Sequence, residues 1–225
     1  MNRLKLTGLS LVFFGVIVVL ISSCATAPRT PTDPRMFKHG SMVVMYVNSF
    51  AAPDAASKGK TIFITSGMQN VSDTDFEFIE VARYIGNALS KKGFTRTDSI
   101  EKADILIRLG YGIGNPQTSS ETVVTSHGYS YPVGWMWFSA PAQTQTVTTT
   151  NYWRNLILEA YDLKDPERKS QLWKTTVQSP GTESDLHRVL AYMIAASSQY
   201  FGISTGMRLN KWIMGEDPRV LDIWK

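Results

Sequence analysis

Hydrophobic and polar positions alternate with two different periods between residues 43 and 206, and the switches between them lay out the elements. Val43–Val47 and Thr61–Thr65 are short β-branched and aromatic runs separated by Ala-Pro-Asp and Lys-Gly turn material, which predicts two strands. A helix follows: Thr74 and Glu77 stand at capping-box spacing, and Phe78, Ala82, Ile85 and Leu89 fall on one face. Lys91, Lys92 and Gly93 supply a favourable last turn and a stop. Phe94–Thr97 predicts a brief strand, residues 99–103 a turn, and Ile105, Ile107, Leu109 and Tyr111 a second strand by strict alternation.

Residues 113–143 carry neither period, and a segment of that length is expected to be a functional or disordered loop. Strands are predicted over 144–153, 155–162 and 172–178, the last two joined by the charged turn Lys164-Asp165-Pro166-Glu167-Arg168-Lys169, so the three read as an antiparallel meander. Thr182 and Asp185 open a second helix whose stripe is Leu186, Leu190, Met193 or Ile194, and Phe201, with Ser197 on the same stripe and Gly206 closing it. The expected fold is α+β, a single mixed, mostly antiparallel sheet with two main helices packed on it, over residues 41–206. The C-terminal tail, 207–225, is expected to dock on the core through Trp212, Ile213, Val220, Leu221, Ile223 and Trp224, with a final helical turn after Pro218.

The amino terminus has a different character. Arg3 and Lys5 precede a nearly unbroken apolar stretch, Leu9–Ile21, that runs into Ile21-Ser22-Ser23-Cys24, and Cys24 is the only cysteine. This is the plan of a secretory signal, and the stretch is short for a membrane span, which needs about 20 apolar residues. Its end resembles a bacterial lipobox, which implies cleavage after residue 23 and acylation of Cys24, a durable anchor when more than one chain is attached. Ala25, rather than an acidic residue, resembles the pattern of lipoproteins passed to the outer membrane, so the expected place is the periplasmic face of that membrane. Residues 24–40, with Pro28, Pro31 and Pro34 spaced three apart, read as an extended tether.

Composition narrows the partners. Losing residues 1–23 removes Arg3 and Lys5 and no acid, so the net charge falls from +4 to +2. That balance argues against a nucleic-acid partner, which needs clustered Lys and Arg. Once Cys24 is acylated no thiol remains, so burial must hold the fold, and 43% hydrophobic residues with six Trp suffice.

Several stretches together resemble a known family. Leu89-Ser90-Lys91-Lys92-Gly93-Phe94 followed by Ala103-Asp104-Ile105-Leu106-Ile107, and Leu158-Glu159-Ala160-Tyr161-Asp162 followed by Leu172-Trp173-Lys174, are similar to a family of bacterial lipoproteins built on one domain of unknown function. The likeness covers most of residues 43–206. It implies an α+β fold and an envelope location, and supplies no catalytic residues.

Chemistry-bearing motifs are sparse. Gly202-Ile203-Ser204-Thr205-Gly206 spells a nucleophile elbow, but a helix rather than a strand is predicted before it, and the hydrolase reading, with Ser204 or His187, is the weaker alternative. Gly110-Tyr111-Gly112-Ile113-Gly114 lacks the following helix that a phosphate cradle needs. His39, His127 and His187 are not at metal-ligand spacing, and Glu159, Asp162 and Asp165 lack the pattern of a calcium loop, so no metal and no cofactor are expected. Glu183 lies four residues before His187, where acidic residues also serve a helix start. The segment His127–Phe138 stands out: Tyr129, Tyr131, Trp135, Trp137 and Phe138 form the candidate binding loop, for an envelope protein, peptidoglycan or a bilayer surface, unless it folds back as a lid. The expected protein is a non-enzymatic, lipid-anchored binding or scaffolding module of the cell envelope, the alternative being a peptidoglycan binder or cofactor of wall synthesis.

Overall fold

The computed structural model describes residues 33–55, 59–165 and 170–225, so the signal segment, Cys24 and residues up to 32 lie outside the described residues. Asp33–Lys225 form one compact unit.

Among the described residues ten strands and three helices follow in order: β1 Met42–Ala51, β2 Thr61–Ser66, α1 Phe76–Ser90, β3 Thr95–Arg96, β4 Ile105–Ile113, β5 Gln117–Ser126, β6 Tyr129–Val133, β7 Met136–Ala140, β8 Gln143–Asp162, β9 Gln171–Gly181, α2 Leu186–Ser197, β10 Leu209–Met214 and α3 Pro218–Trp224. Eight strands make one mixed sheet in the order β10-β1-β9-β8-β4-β2-β3, with β5 added to β8, and β6 and β7 pair as a separate hairpin. β2 runs parallel to β3 and β4, and the other pairings are antiparallel.

One face of the sheet is apolar because alternate residues are. Val43, Met45 and Val47 of β1, Ile62 and Ile64 of β2, Ile105, Ile107 and Leu109 of β4, and Leu156, Leu158 and Ala160 of β8 are buried beneath the helices. Helix α2 packs on this face and touches α1 and α3. Its run Val189–Ser197 is buried throughout, as a helix enclosed on every side requires. Ser197, at 0% exposure, donates to the Met193 carbonyl at 2.6 Å, so its hydroxyl is satisfied inside its own helix.

Five sequence expectations change. Residues 113–143 are not a loop: they contribute β5, β6 and β7, a ribbon whose two faces are both exposed and which therefore lacks the alternation that marks a half-buried strand. The strands expected at 144–153 and 155–162 are one, and the first half of β8 pairs with β5 instead of joining a meander. Helix α2 stops at Ser197; a 3-10 turn, Ser198–Tyr200, carries Phe201 into the core without a helical backbone, where its ring stacks on Trp173 at 6.1 Å. The N-cap of α1 is Asp75 rather than Thr74. The tail supplies β10, which pairs with β1 and leaves Trp212 exposed rather than docked, while the helical turn expected after Pro218 is α3, which packs on α1 and α2 with Val220, Ile223 and Trp224 buried.

Residues 33–40, expected to belong to the tether, are part of the compact unit. Arg188 in the first turn of α2 donates to the carbonyls of Arg35, at 2.7 Å, and Met36, while Tyr192 accepts from the Phe37 amide at 2.9 Å. The Arg35 guanidinium lies 4.5 Å from the Trp224 ring centroid.

Candidate functional site

The ribbon grows out of the sheet at a fixed place. Tyr46 of β1 is level with Gln178 of β9, which is level with Asn155 of β8, so β1 and β8 run in the same direction with β9 between them. The amino-terminal end of β1 and the root of the ribbon are consequently at the same end of the sheet. The described chain begins there too: the carbonyls of Arg35 and Met36 accept from Arg188 at the start of α2, and Glu183, just ahead of that helix, accepts from Arg154 at the root.

The root is locked by Arg154, whose side chain is 2% exposed. Its Nε donates to the Ser179 carbonyl at 3.0 Å, and its terminal nitrogens reach the Glu183 carbonyl at 2.9 Å and the Ser179 hydroxyl at 3.3 Å. Burial lowers its pKa, with Glu183 opposing. A Cβ on Gly181 would stand 2.6 Å from the guanidinium, so glycine is what lets the arginine in. The sequence reading missed Arg154; a lone Arg between Trp153 and an apolar strand was the available signal.

Beyond the root, β5 and β8 pair from Gln117↔Asn151 to Ser126↔Gln143, about 30 Å of ribbon at 3.3 Å per residue. Thr118–Thr150 and Ser120–Thr148 hydroxyl pairs, each at 3.1 Å, line one of its faces. None of residues 122–153 is Lys, Arg, Asp or Glu.

The β6–β7 hairpin follows at the far end and carries every residue of the candidate binding loop. Tyr131 and Phe138 are cross-strand partners with centroids 6.2 Å apart, and Tyr129 packs beside Tyr131 at 5.7 Å. Gly134, at φ 63°, starts the two-residue turn and leaves Trp135 outermost, 91% exposed, with Trp137 at 73%. Tyr129, Tyr131 and Phe138 are exposed as well, so the segment is not a lid over the core.

The sheet face opposite the helices is amphipathic. Arg208 lies 4.1 Å from the Tyr46 ring and donates to Gln178, which donates to Asn155; the Tyr46 and Trp153 rings stack at 6.3 Å. Lys174 and Glu159 pair at 2.8 Å, and that bond, with help from Tyr161, lowers the Glu159 pKa. Beside them Gly110, Gly112 and Gly114 leave a shallow pocket of about 350 Å3 bordered by Asn155 and Ile157. They lie on and just after β4 rather than cradling a phosphate. A second pocket, about 490 Å3, lies between Met68, Phe76, Tyr111 and Leu186. Burial pushes the Tyr111 hydroxyl up to about 12, and that oxygen is buried without a hydrogen-bond partner among the described residues.

The residues considered for catalysis make the following contacts. Ser204 accepts from the Ala51 amide at 2.8 Å and donates to its carbonyl at 3.2 Å, and Thr205 does the same for Ser49, so this turn holds β1 beyond its pairing with β10. His187 faces Glu77 at 3.3 Å and Glu80 at 3.9 Å on α1, while Glu183 pairs with Arg188 at 3.2 Å. His39 pairs with Glu216 at 2.9 Å. Among the described residues no group of three or more His, Cys, Asp and Glu is placed to hold a metal ion. No described helix is long and apolar enough to cross a membrane.

The stretches that carried the family likeness turn out to be fastenings. Asp104 accepts from the Thr61 amide and hydroxyl at 3.1 and 2.6 Å and pairs with Lys164 at 2.7 Å, which together hold its carboxyl far below the usual range. Lys92 donates to the carbonyls of Gln199 and Phe201 at 2.9 and 2.7 Å, tying the end of α1 to the segment after α2.

The fold and these surfaces define a domain of one mixed sheet, helices on one face, and an aromatic-tipped ribbon projecting from its end. The chain belongs to the family described as a domain of unknown function, DUF4136, whose model matches residues 48–200. No curated protein matches it. Among solved structures it is similar to a PDZ domain protein from Parabacteroides distasonis, at 15% identity and a TM-score of 0.41 over 77% of this chain and 39% of that one. The chain thus spans about two fifths of that structure's length.

Proposed function

We propose that this chain is a lipid-anchored cell-envelope protein, held by acylated Cys24 at the periplasmic face of the outer membrane, and that it acts as a non-catalytic binding or scaffolding module. The observation that carries the binding role is the exposed aromatic hairpin at the end of the ribbon, since uncovered clusters of large rings mark contact sites. The anchor rests on the Ile21-Ser22-Ser23-Cys24 sequence behind Leu9–Ile21. A photo-crosslinker at position 135 in intact cells is expected to yield a discrete envelope adduct; a cytoplasmic partner, or no adduct, would refute the reading.

The second reading, a peptidoglycan binder or cofactor of wall synthesis, is favoured by the same rings, because aromatic faces also stack on sugars. Retention on purified sacculi that disappears with Trp135→Ala and Trp137→Ala supports it; retention indifferent to both tryptophans removes it. A serine hydrolase would need Ser204 or His187, and hydrolysis that survives alanine at each position dismisses that reading.

A further inference from the structure

We infer that the partner of the ribbon's tip is a lipid surface: Trp135, Trp137 and the Tyr131–Phe138 pair seat in the interfacial layer of the bilayer that holds the anchor. This rests on the lipid-anchor reading of Cys24 and deepens it.

Chemistry comes first. Trp and Tyr concentrate at membrane interfaces because their rings are apolar bodies with a polar edge, and the tip has both types flanked by Val133 and Met136. A charge carried into that layer is expensive, and residues 122–153 contain no Lys, Arg, Asp or Glu. A strongly charged partner, such as an acidic glycan, would call for complementary charges at the rim, which residues 122–153 lack. The two serines of the hairpin, Ser130 and Ser139, hydrogen-bond to each other across the strands at 2.9 Å. Depth follows from the backbone: β6 and β7 pair only with each other among the described residues, so their outer amides and carbonyls need water and the hairpin stays at headgroup level.

Reach agrees. Residues 25–32 separate Cys24 from Asp33 and span at most about 30 Å when fully extended. The described chain begins at the end of the sheet from which the ribbon projects, so tether and arm leave the domain at the same end; the arm, about 30 Å of β5–β8 pairing with the β6–β7 hairpin beyond it, is longer than the tether and meets the anchoring bilayer at an incline.

The test uses the full chain, purified with whatever modification it carries and reconstituted into phosphatidylcholine vesicles containing brominated or ordinary acyl chains. Tryptophan emission is expected to be quenched by shallow bromines more than by deep ones, to shift to the blue, and to be indifferent to added anionic lipid and to salt. The Trp135→Ala/Trp137→Ala double variant is expected to lose the greater part of that quenching with an unchanged melting temperature. Equal emission in both kinds of vesicle, or quenching undiminished in the double variant, overturns the inference, as does tryptophan-dependent retention on sacculi without quenching. Mass measurement of the Cys24 peptide reads the anchor separately. Acyl mass without quenching sinks the tip alone, and quenching on added vesicles without acyl mass supports the tip while sinking the anchor.

Discussion

The two halves of strand β8 live in different solvents. Gln143–Asn151 pair with β5 and show both faces to water, whereas Arg154–Asp162 lie between β4 and β9 with Leu156, Leu158 and Ala160 at 0% exposure. In the inner half alternate residues, Leu156, Leu158 and Ala160, are covered by the helices, so side-chain burial specifies the register. In the outer half register is set by backbone pairing and Thr–Thr and Ser–Thr hydroxyl contacts. One continuous strand therefore joins a region whose sequence is constrained by stability to one whose sequence is free to answer to something outside the molecule.

Substitutions should sort by that division. Leu158→Ala, in the middle of the inner half, is expected to cost about 3 kcal/mol in urea unfolding, the range for a fully buried leucine, while Thr148→Ala in the outer half should stay within about 0.5 kcal/mol. A comparable loss at Thr148 would show that the ribbon is part of the cooperative unit. Arg154→Met, at the junction, leaves the Ser179 and Glu183 carbonyls without their donor and is expected to cost about 2 kcal/mol. Limited proteolysis should then cut first near the root.

Acid separates the halves in another way. Lys164 and Thr61 depress the Asp104 pKa in the folded state, so Asp104 contributes stability above its unfolded value of about 4, and that contribution is lost as the pH falls below it. Asp104→Asn should cost about 1 kcal/mol at neutral pH and flatten the acid limb of the stability profile. The ribbon beyond Glu121 has no carboxylate side chain and gives no such limb. The smallest expected effect is at the tip: Trp135→Ala should leave unfolding unchanged within about 0.5 kcal/mol, because its side chain is 91% exposed, and should be visible only in binding.

The body was legible in the sequence because burial writes a period. Ile105, Ile107 and Leu109 alternate, and Phe78, Ala82, Ile85 and Leu89 recur as a helix face; all seven are buried as expected. The ribbon was legible in one strand alone: 144–153 was expected as a strand, while 113–143 was expected as a loop. Thr118 through Val124 and Thr144 through Thr150 are rich in β-branched residues, but with neither face covered there is no alternation to read, and only propensity marked them. The end of α2 misled for a related reason: Phe201 fits the helical stripe and is buried at 2% exposure, yet a 3-10 turn delivers it. Trp135 and Trp137 were found by composition, which tells that rings are clustered but not that they stand on a stalk. Arg154 and the Tyr111 pocket depend on contacts between distant segments, Ser179 and Glu183 in one case, Met68 and Leu186 in the other; a lone Arg beside an apolar strand hints at the first, and no local pattern announces the second.

Because β8 crosses the root without a break, the ribbon is continuous with the middle of the sheet. A pull on Trp135 along the strand would be borne by the hydrogen bonds joining β8 to β4 and β9 acting together in shear, since those bonds lie across the direction of load. Traction at the tip is thereby delivered to the centre of the sheet rather than peeled from its edge.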